Sequence, residues 1–180
     1  MDKYFVTQIP SIVSEIAARE FEQIEPMDAQ MNPDTEKTLD HSQRYTTVRG
    51  VEHWNWFGGI LYQCGLEANV KCGWNMYIDS QEQVQFATYE EGMHYNWHID
   101  TFLLSGQPLD RKVTVICLMN DPSEFEGGEL QFNIDGKILE AQLKKGSVIA
   151  FPSFILHRVT PVTKGVRKTA VMWLNGPAFK

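Results

Sequence analysis

The sequence predicts a mainly β protein with two helices at its N-terminal end, its strands arranged as an antiparallel sandwich or barrel. Three observations carry that expectation. Up to about residue 69, apolar residues recur at helical spacing in two stretches. From Trp74 onward the period changes to two, in short apolar or alternating runs. Between the runs lie turn-forming pairs: Asp121-Pro122, Gly127-Gly128, Asp135-Gly136, Lys145-Gly146 and Lys164-Gly165. About eight or nine short strands at such intervals fit a sandwich or barrel whose helices buttress one sheet.

Taken in order, Ile12, Val13, Ile16, Ala17, Phe21 and Ile24 recur every three or four residues behind Pro10, a residue suited to a first helical turn, and predict an amphipathic helix over about 10–23. Residues 25–46 are polar, hold two prolines and show no sustained period, and so read as a long loop. Such loops in compact domains serve as lids or binding elements, with disorder as the alternative. Trp54, Phe57, Ile60, Leu61, Cys64 and Ala68 predict a second helix over about 51–69, despite Gly58 and Gly59, with its aromatic stripe in the core. Strands are expected at 74–78, 83–89, 94–100, 112–119, 129–133, 137–142, 147–151, 156–162 and 167–174. The Gly127-Gly128 pair, flanked by Glu126 and Glu129, is expected to form a tight turn or bulge.

By length, 180 residues make one domain able to close a core without disulfides or structural metals, helical support over about 1–73 and a β core over about 74–176. Hydrophobic content of 43% and charged content of 22% are ordinary for a globular chain. A net charge of −7 argues against nucleic acid or anionic lipid as partner. The opening MDKYFVTQIPSI lacks a basic stretch followed by an apolar one, and no apolar run approaches bilayer length, so a cytoplasmic protein without membrane contact is expected. Cys64, Cys72 and Cys117, an odd set without Cys-x-x-Cys spacing, are expected to be reduced core thiols.

The chemistry concentrates in ATYEEGMHYNWHIDT, residues 87–101. On a strand, side chains two apart share a face, so His98 and Asp100 point the same way, an imidazole and a carboxylate, while Trp97 and Ile99 face the other side. A redox-capable iron is commonly held by two histidines and one carboxylate, with the remaining positions open. His157, opening the run LHRVTPV, supplies a third ligand once two sheets close on each other. A set of His94, His98 and Asp100 is the alternative, since His94 would share the face of His98; otherwise His94 belongs near a substrate entrance or in solvent. His41 and His53 are expected at the surface or in packing. In RKTAVMWLN, alternation puts Arg167, Thr169, Val171 and Trp173 on one face, and a buried guanidinium there needs a carboxylate, from the protein or from a bound acid. Arg111, before a strand, is either a substrate contact or an ordinary surface cation.

HID at 98–100, EGGELQF at 126–132, LKKGSVIAFPSFILHRVTPVTKGVRKTAVMW at 143–173, and Tyr89 nine positions before His98 resemble the prolyl-4-hydroxylase-type iron(II) and 2-oxoglutarate dioxygenases, the bacterial PKHD-type hydroxylases most of all. The resemblance covers roughly residues 74–175. It implies a double-stranded β-helix, a jelly-roll, cupin-like sandwich. It implies that His98, Asp100 and His157 ligate Fe(II), that Arg167 pairs with the distal carboxylate of 2-oxoglutarate, and that Tyr89 donates a hydrogen bond there; Thr169 and Trp173 line the pocket. The activity implied uses O2, with ascorbate as reductant: 2-oxoglutarate is decarboxylated to succinate and CO2 while an unactivated C–H is hydroxylated. The presence of Asp100 argues for hydroxylation, because halogenating relatives lack that carboxylate. The expected substrate is a prolyl or other residue of a peptide or protein, with a free amino acid or small metabolite as the alternative. The contrasting expectation is a non-enzymatic jelly-roll binding module. Oligomeric state is left open by the sequence.

Overall fold

The computed structural model describes residues 2–28, 40–52, 55–102 and 108–179. The N-terminal part runs β1 (Phe5–Gln8), α1 (Ser11–Phe21), β2 (Met27–Asp28), β3 (Arg44–Tyr45), β4 (Thr47–Val51) and α2 (Trp56–Lys71). There follow β5 (Ser80–Gln81), β6 (Val84–Tyr89), β7 (His94–His98), β8 (Leu109–Leu118), β9 (Phe125–Gly127) and β10 (Leu130–Ile134). The chain ends with β11 (Lys137–Glu140), β12 (Ser147–Pro152), β13 (His157–Val159), β14 (Val162–Gly165) and β15 (Arg167–Pro177).

An eight-stranded antiparallel sheet has the order β1-β12-β8-β15-β6-β4-β2, with β5 also on β15; a five-stranded sheet runs β11-β10-β13-β7-β3, and β14 pairs with β9 in a ribbon. Alternation assigns each face of the large sheet its own core. Val84, Phe86, Val113, Val115, Cys117, Ala170, Met172 and Leu174 pack with Ala17, Phe21, Phe57, Leu61 and Ala68 of the helices. Ala87, Tyr89, Ile116, Ile149, Phe151 and Val171, on the opposite face, pack with Leu130, Phe132 and Val159 of the small sheet. Because both faces are covered, β8 reads as an almost unbroken buried run rather than an alternating one.

The helices form where expected, with shifted ends. Pro10 caps α1 from outside, and α2 starts behind Asn55, whose side chain accepts from the Phe57 amide at 2.9 Å. Residues 47–51, read in part as helix, instead form β4 at the sheet, and His53 and Trp54 lie outside the described residues. Gly65 is what lets α2 approach: a Cβ there would sit 2.8 Å from Val115 Cγ2 and 2.9 Å from Leu174 Cδ2. The N-terminal third is thus not only helical support, since β1 and β4 extend the large sheet and β3 the small one. The expected loop 25–46 holds β2 and β3, while residues 29–39 lie outside the described residues, as do 103–107 of the stretch after Asp100.

Residues 74–78 carry no strand; Asn75, at φ 50°, breaks extended backbone there. The run 156–162 divides into β13 and the start of β14, which belong to different pairings. The three cysteines are free and buried. Among the described residues no helix is long and apolar enough to cross a membrane.

The Gly127-Gly128 turn is as required by close packing: at φ 74° a Cβ on Gly127 would fall 2.3 Å from the Pro161 carbonyl oxygen. Gly127→Ala should therefore destabilise the fold by at least about 1–3 kcal/mol, the usual cost of a strained left-handed residue, as read by chemical denaturation. An unchanged midpoint would show that the β9–β14 ribbon yields without cost.

Candidate metal centre

β7 and β13 lie side by side with His98 directly opposite His157, and Asp100 follows two residues after β7. This register brings one ligand atom from each of His98, Asp100 and His157 within 4.8 Å of one another, the only such group among the described residues. His98 Nε2 is 3.5 Å from Asp100 Oδ1 and His157 Nε2 is 3.5 Å from Asp100 Oδ2. All three side chains are almost fully buried.

The imidazoles are held in one tautomer. His98 Nδ1 lies 2.7 Å from the Asn96 carbonyl oxygen and His157 Nδ1 lies 2.9 Å from that of Ile155. A carbonyl only accepts, so each Nδ1 carries the proton and each Nε2 turns its lone pair to the cluster. Burial, and then the neighbouring His157, lower the His98 pKa to about 3, so its ring is neutral and ready to ligate at ordinary pH. For Asp100, burial pushes the pKa up, but His157, His98, the nearby Trp173 indole and the Thr114 hydrogen bond outweigh it and hold the carboxyl below its usual range.

Asp100 is fixed from behind by residues that no motif marks. Its amide donates to the Ser153 carbonyl at 2.8 Å. Thr114 Oγ1 donates to Asp100 Oδ2 at 2.7 Å and lies 2.9 Å from Ser153 Oγ. With the threonine proton committed to the carboxylate, Ser153 is the donor in the second bond. Thr114→Val, nearly isosteric, leaves a buried carboxylate oxygen and the serine hydroxyl without that partner and should cost about 1–3 kcal/mol. Equal denaturation midpoints for the two proteins would remove Thr114 from the account.

Neutral burial of His98 also sets an acid limit. Its folded pKa lies below the unfolded value, so the unfolded chain binds the extra proton first. Stability is complete above about pH 6.5, the unfolded value, and falls as the pH drops toward 3. The metal-free protein should accordingly lose thermal stability between pH 7 and 5, and His98→Gln should flatten that slope.

The cavity at the triad, about 30 Å³, is lined also by Arg44, Gln85, Tyr89, Tyr95, Thr114, Val171 and Trp173. The Trp173 indole Nε1 is buried there, outside good hydrogen-bond geometry but near enough to Asp100 to lower its pKa. Tyr89 is buried, 4% exposed, at the wall of this cavity. Arg167 is buried, 3% exposed, and its guanidinium carbon lies 5.4 Å from the centroid of the Tyr89 ring. It lines not the triad cavity but a neighbouring one of about 230 Å³, and Leu130 lines both. Burial lowers the Arg167 pKa, and among the described residues it forms no ion pair. Thr169 is buried on the same face of β15 but lines neither cavity.

His94 does not join the cluster. Its ring faces the Gly92 and Ser42 carbonyls, at 3.1 and 3.3 Å, because an irregularity in β7 takes it off the face of His98. The alternative set of His94, His98 and Asp100 is therefore not formed. His41 is exposed and stacks on Tyr45. Arg111 is neither free nor a plain surface cation: it holds Glu82 through two hydrogen bonds, 2.7 and 2.6 Å, with its guanidinium carbon 3.8 Å from the Trp173 ring centroid.

Three comparisons bear on this arrangement. The model of the 2OG-Fe(II) oxygenase superfamily matches residues 84–175, just over half of the chain. A PKHD-type hydroxylase of Picosynechococcus sp. is 42% identical over 90 residues, 50% of this chain and 40% of the relative. The chain thus spans about two-fifths of the length of the curated relatives it matches. A Pseudomonas putida prolyl-4-hydroxylase superposes with a TM-score of 0.73 at 17% identity, covering 97% of this chain and 93% of that one. A Trichoplax adhaerens prolyl hydroxylase, solved with a hypoxia inducible factor peptide fragment, superposes with a TM-score of 0.69 at 15% identity, covering 97% and 84%. These likenesses bear out the jelly-roll fold that the family resemblance implied. With the family model matched from β6 into β15, across both sheets and every member of the triad, the chain belongs to the 2OG-Fe(II) oxygenase superfamily.

Proposed function

We infer that this chain is an Fe(II) and 2-oxoglutarate dioxygenase that hydroxylates an unactivated C–H. The observation that carries the reading is the triad itself: two imidazoles in the tautomer that presents Nε2, and one carboxylate, converging within 4.8 Å. Two imidazole nitrogens and one carboxylate oxygen suit a divalent iron with positions left open. When bound, iron with 2-oxoglutarate and O2 supplies the oxidation: one oxygen atom goes to the substrate C–H as hydroxyl, the other to succinate, and CO2 is released.

The chain's own residues have the tasks of binding and orientation. His98, Asp100 and His157 hold the metal. Arg167 takes the distal carboxylate of 2-oxoglutarate, because a buried guanidinium without an ion pair among the described residues calls for an acid of this kind. Tyr89 lines the triad cavity and carries the Arg167 cation against its ring, so the far end of a dicarboxylate would meet both. Trp173 presents its indole N–H at the cavity wall, near enough to Asp100 to help hold that carboxylate charged. The Thr114–Ser153 pair keeps the Asp100 carboxylate from swinging away.

The substrate we favour is a peptide residue, proline first, supported by the likeness in fold to prolyl hydroxylases, one of them solved with a peptide. Two assays test the reading in sequence. Anaerobic Fe(II) with 2-oxoglutarate should raise the melting temperature, as binding to the folded state must; no shift would leave a jelly-roll binding module. Succinate release should then be stimulated by prolyl peptides, whereas stimulation by free amino acids alone would move the substrate to the metabolite class.

A further inference from the structure

Strict alternation along β7 would turn Tyr95 away from His98, three residues on, yet the two rings lie 3.4 Å apart between centroids and 8° from parallel. The register explains this. His98 pairs with His157 and Tyr95 with Val159, so three steps along β7 match two along β13. One extra residue, at Asn96-Trp97, makes a β-bulge and re-aims a side chain. The polar groups that the bulge removes from the ladder are met locally. The Asn96 amide donates to the Gln43 carbonyl at 2.8 Å, Gln43 Nε2 donates to the Trp97 carbonyl at 3.0 Å, and the Trp97 amide donates to Asn96 Oδ1 at 2.9 Å. The Asn96 carbonyl is then left to accept from His98 Nδ1. Arg44, the cross-strand partner of Tyr95, lays its guanidinium carbon 4.7 Å from the centroid of the same phenol ring.

We propose that Tyr95 is a positioning residue for His98, fixing the plane in which that imidazole presents Nε2 to the metal. The inference rests on the reading of His98 as a ligand. A single hydrogen bond at Nδ1 anchors one corner of the ring and leaves it able to rock about that bond. A parallel aromatic ring in contact removes the remaining freedom. His157 is treated in the same way by different means: Nδ1 bonds to the Ile155 carbonyl and the Phe151 ring stands edge-on at 4.7 Å. Each ligand imidazole therefore has a carbonyl at Nδ1 and aromatic support, from Tyr95 for His98 and from Phe151 and Phe132 for His157. For His98 the aromatic neighbour depends on the bulge, and the bulge on Gln43 from the segment ahead of β3.

Co(II) titration of the metal-free protein, followed by calorimetry and by the visible spectrum of the bound ion, tests this without turnover. Tyr95→Phe keeps the stacked ring and should bind Co(II) within about twofold of the parent. Tyr95→Leu should weaken binding about tenfold to a hundredfold, the range seen when groups orienting a ligand are lost, and should alter the ligand-field bands of the bound ion. Asn96→Ala, at an exposed side chain that pins the bulge, should weaken binding in the same direction should the leucine protein fail to fold. Unchanged affinity and spectrum in Tyr95→Leu, or in Asn96→Ala where it is the measurable variant, would overturn the proposal, as would a phenylalanine protein as weak as the leucine one. A parent protein that binds no Co(II) would instead contradict the ligand role of His98 itself.

Discussion

His98→Ala is expected to abolish both metal-dependent stabilisation and 2-oxoglutarate-dependent succinate release. The imidazole is one of three side chains that could ligate a metal, gathered within 4.8 Å, and no other histidine of the described residues is placed to replace it, since His94 is bonded toward Gly92 and Ser42. Losing one of three protein ligands should lower metal affinity by more than the roughly 10–100-fold that loss of an outer supporting group costs. The fold should survive, because the cores on both faces of the large sheet form without His98. Persisting succinate production in this variant would exclude His98 from the metal and leave Asp100 and His157 without a sufficient partner.

Arg167→Ala should separate the cosubstrate from the metal. It removes a charge and a planar donor fork but no ligand, so Fe(II) or Co(II) affinity should hold while 2-oxoglutarate binding falls. Truncating one side of a buried charged pair costs about 2–5 kcal/mol, roughly thirtyfold to several-thousandfold in Kd. Because the guanidinium is buried without an ion pair among the described residues, its removal should not lower the melting temperature of the metal-free protein through lost charge pairing. Arg167→Met, which keeps most of the side-chain volume against Gly128 and Tyr89, controls for packing. Loss of metal with retained 2-oxoglutarate affinity would reverse the two role assignments.

The fold class and the triad were legible because each has a local signature. Period-two runs with turn pairs specify strands whichever partner they find, and His98 and Asp100 share a face by two-residue spacing alone. His157 could be nominated because it opens a strand, but two sheets closing on each other is not what brings it to His98: β13 pairs directly with β7 within the small sheet. What was hidden depends on pairing. The bulge in β7 exchanges His94 for Tyr95 on the site face, and a bulge arises from the register with β13 and from Gln43, neither of which is written in the residues 94–100. Thr114 sits in the apolar run VTVICL, where a hydroxyl looks like an ordinary β-branched core residue until Asp100 is seen against it. The two-residue strands β2 and β3 are too short to show alternation, and β4 carries a glycine, so the segment read as loop or helix. Residues 74–78 had the aromatic and apolar content of a strand, but Asn75 adopts positive φ and the Asn69 side chain caps the turn through the Met76 amide.

On the proposed function, one metal ion and one dicarboxylate share the space between β7, β13 and β15. A crystal structure of the protein grown without oxygen in Mn(II) and 2-oxoglutarate tests it most directly. A single ion bonded to His98 Nε2, His157 Nε2 and Asp100 is expected, with the distal carboxylate against Arg167 and Tyr89. An ion elsewhere, or a dicarboxylate whose far end avoids Arg167, would contradict it.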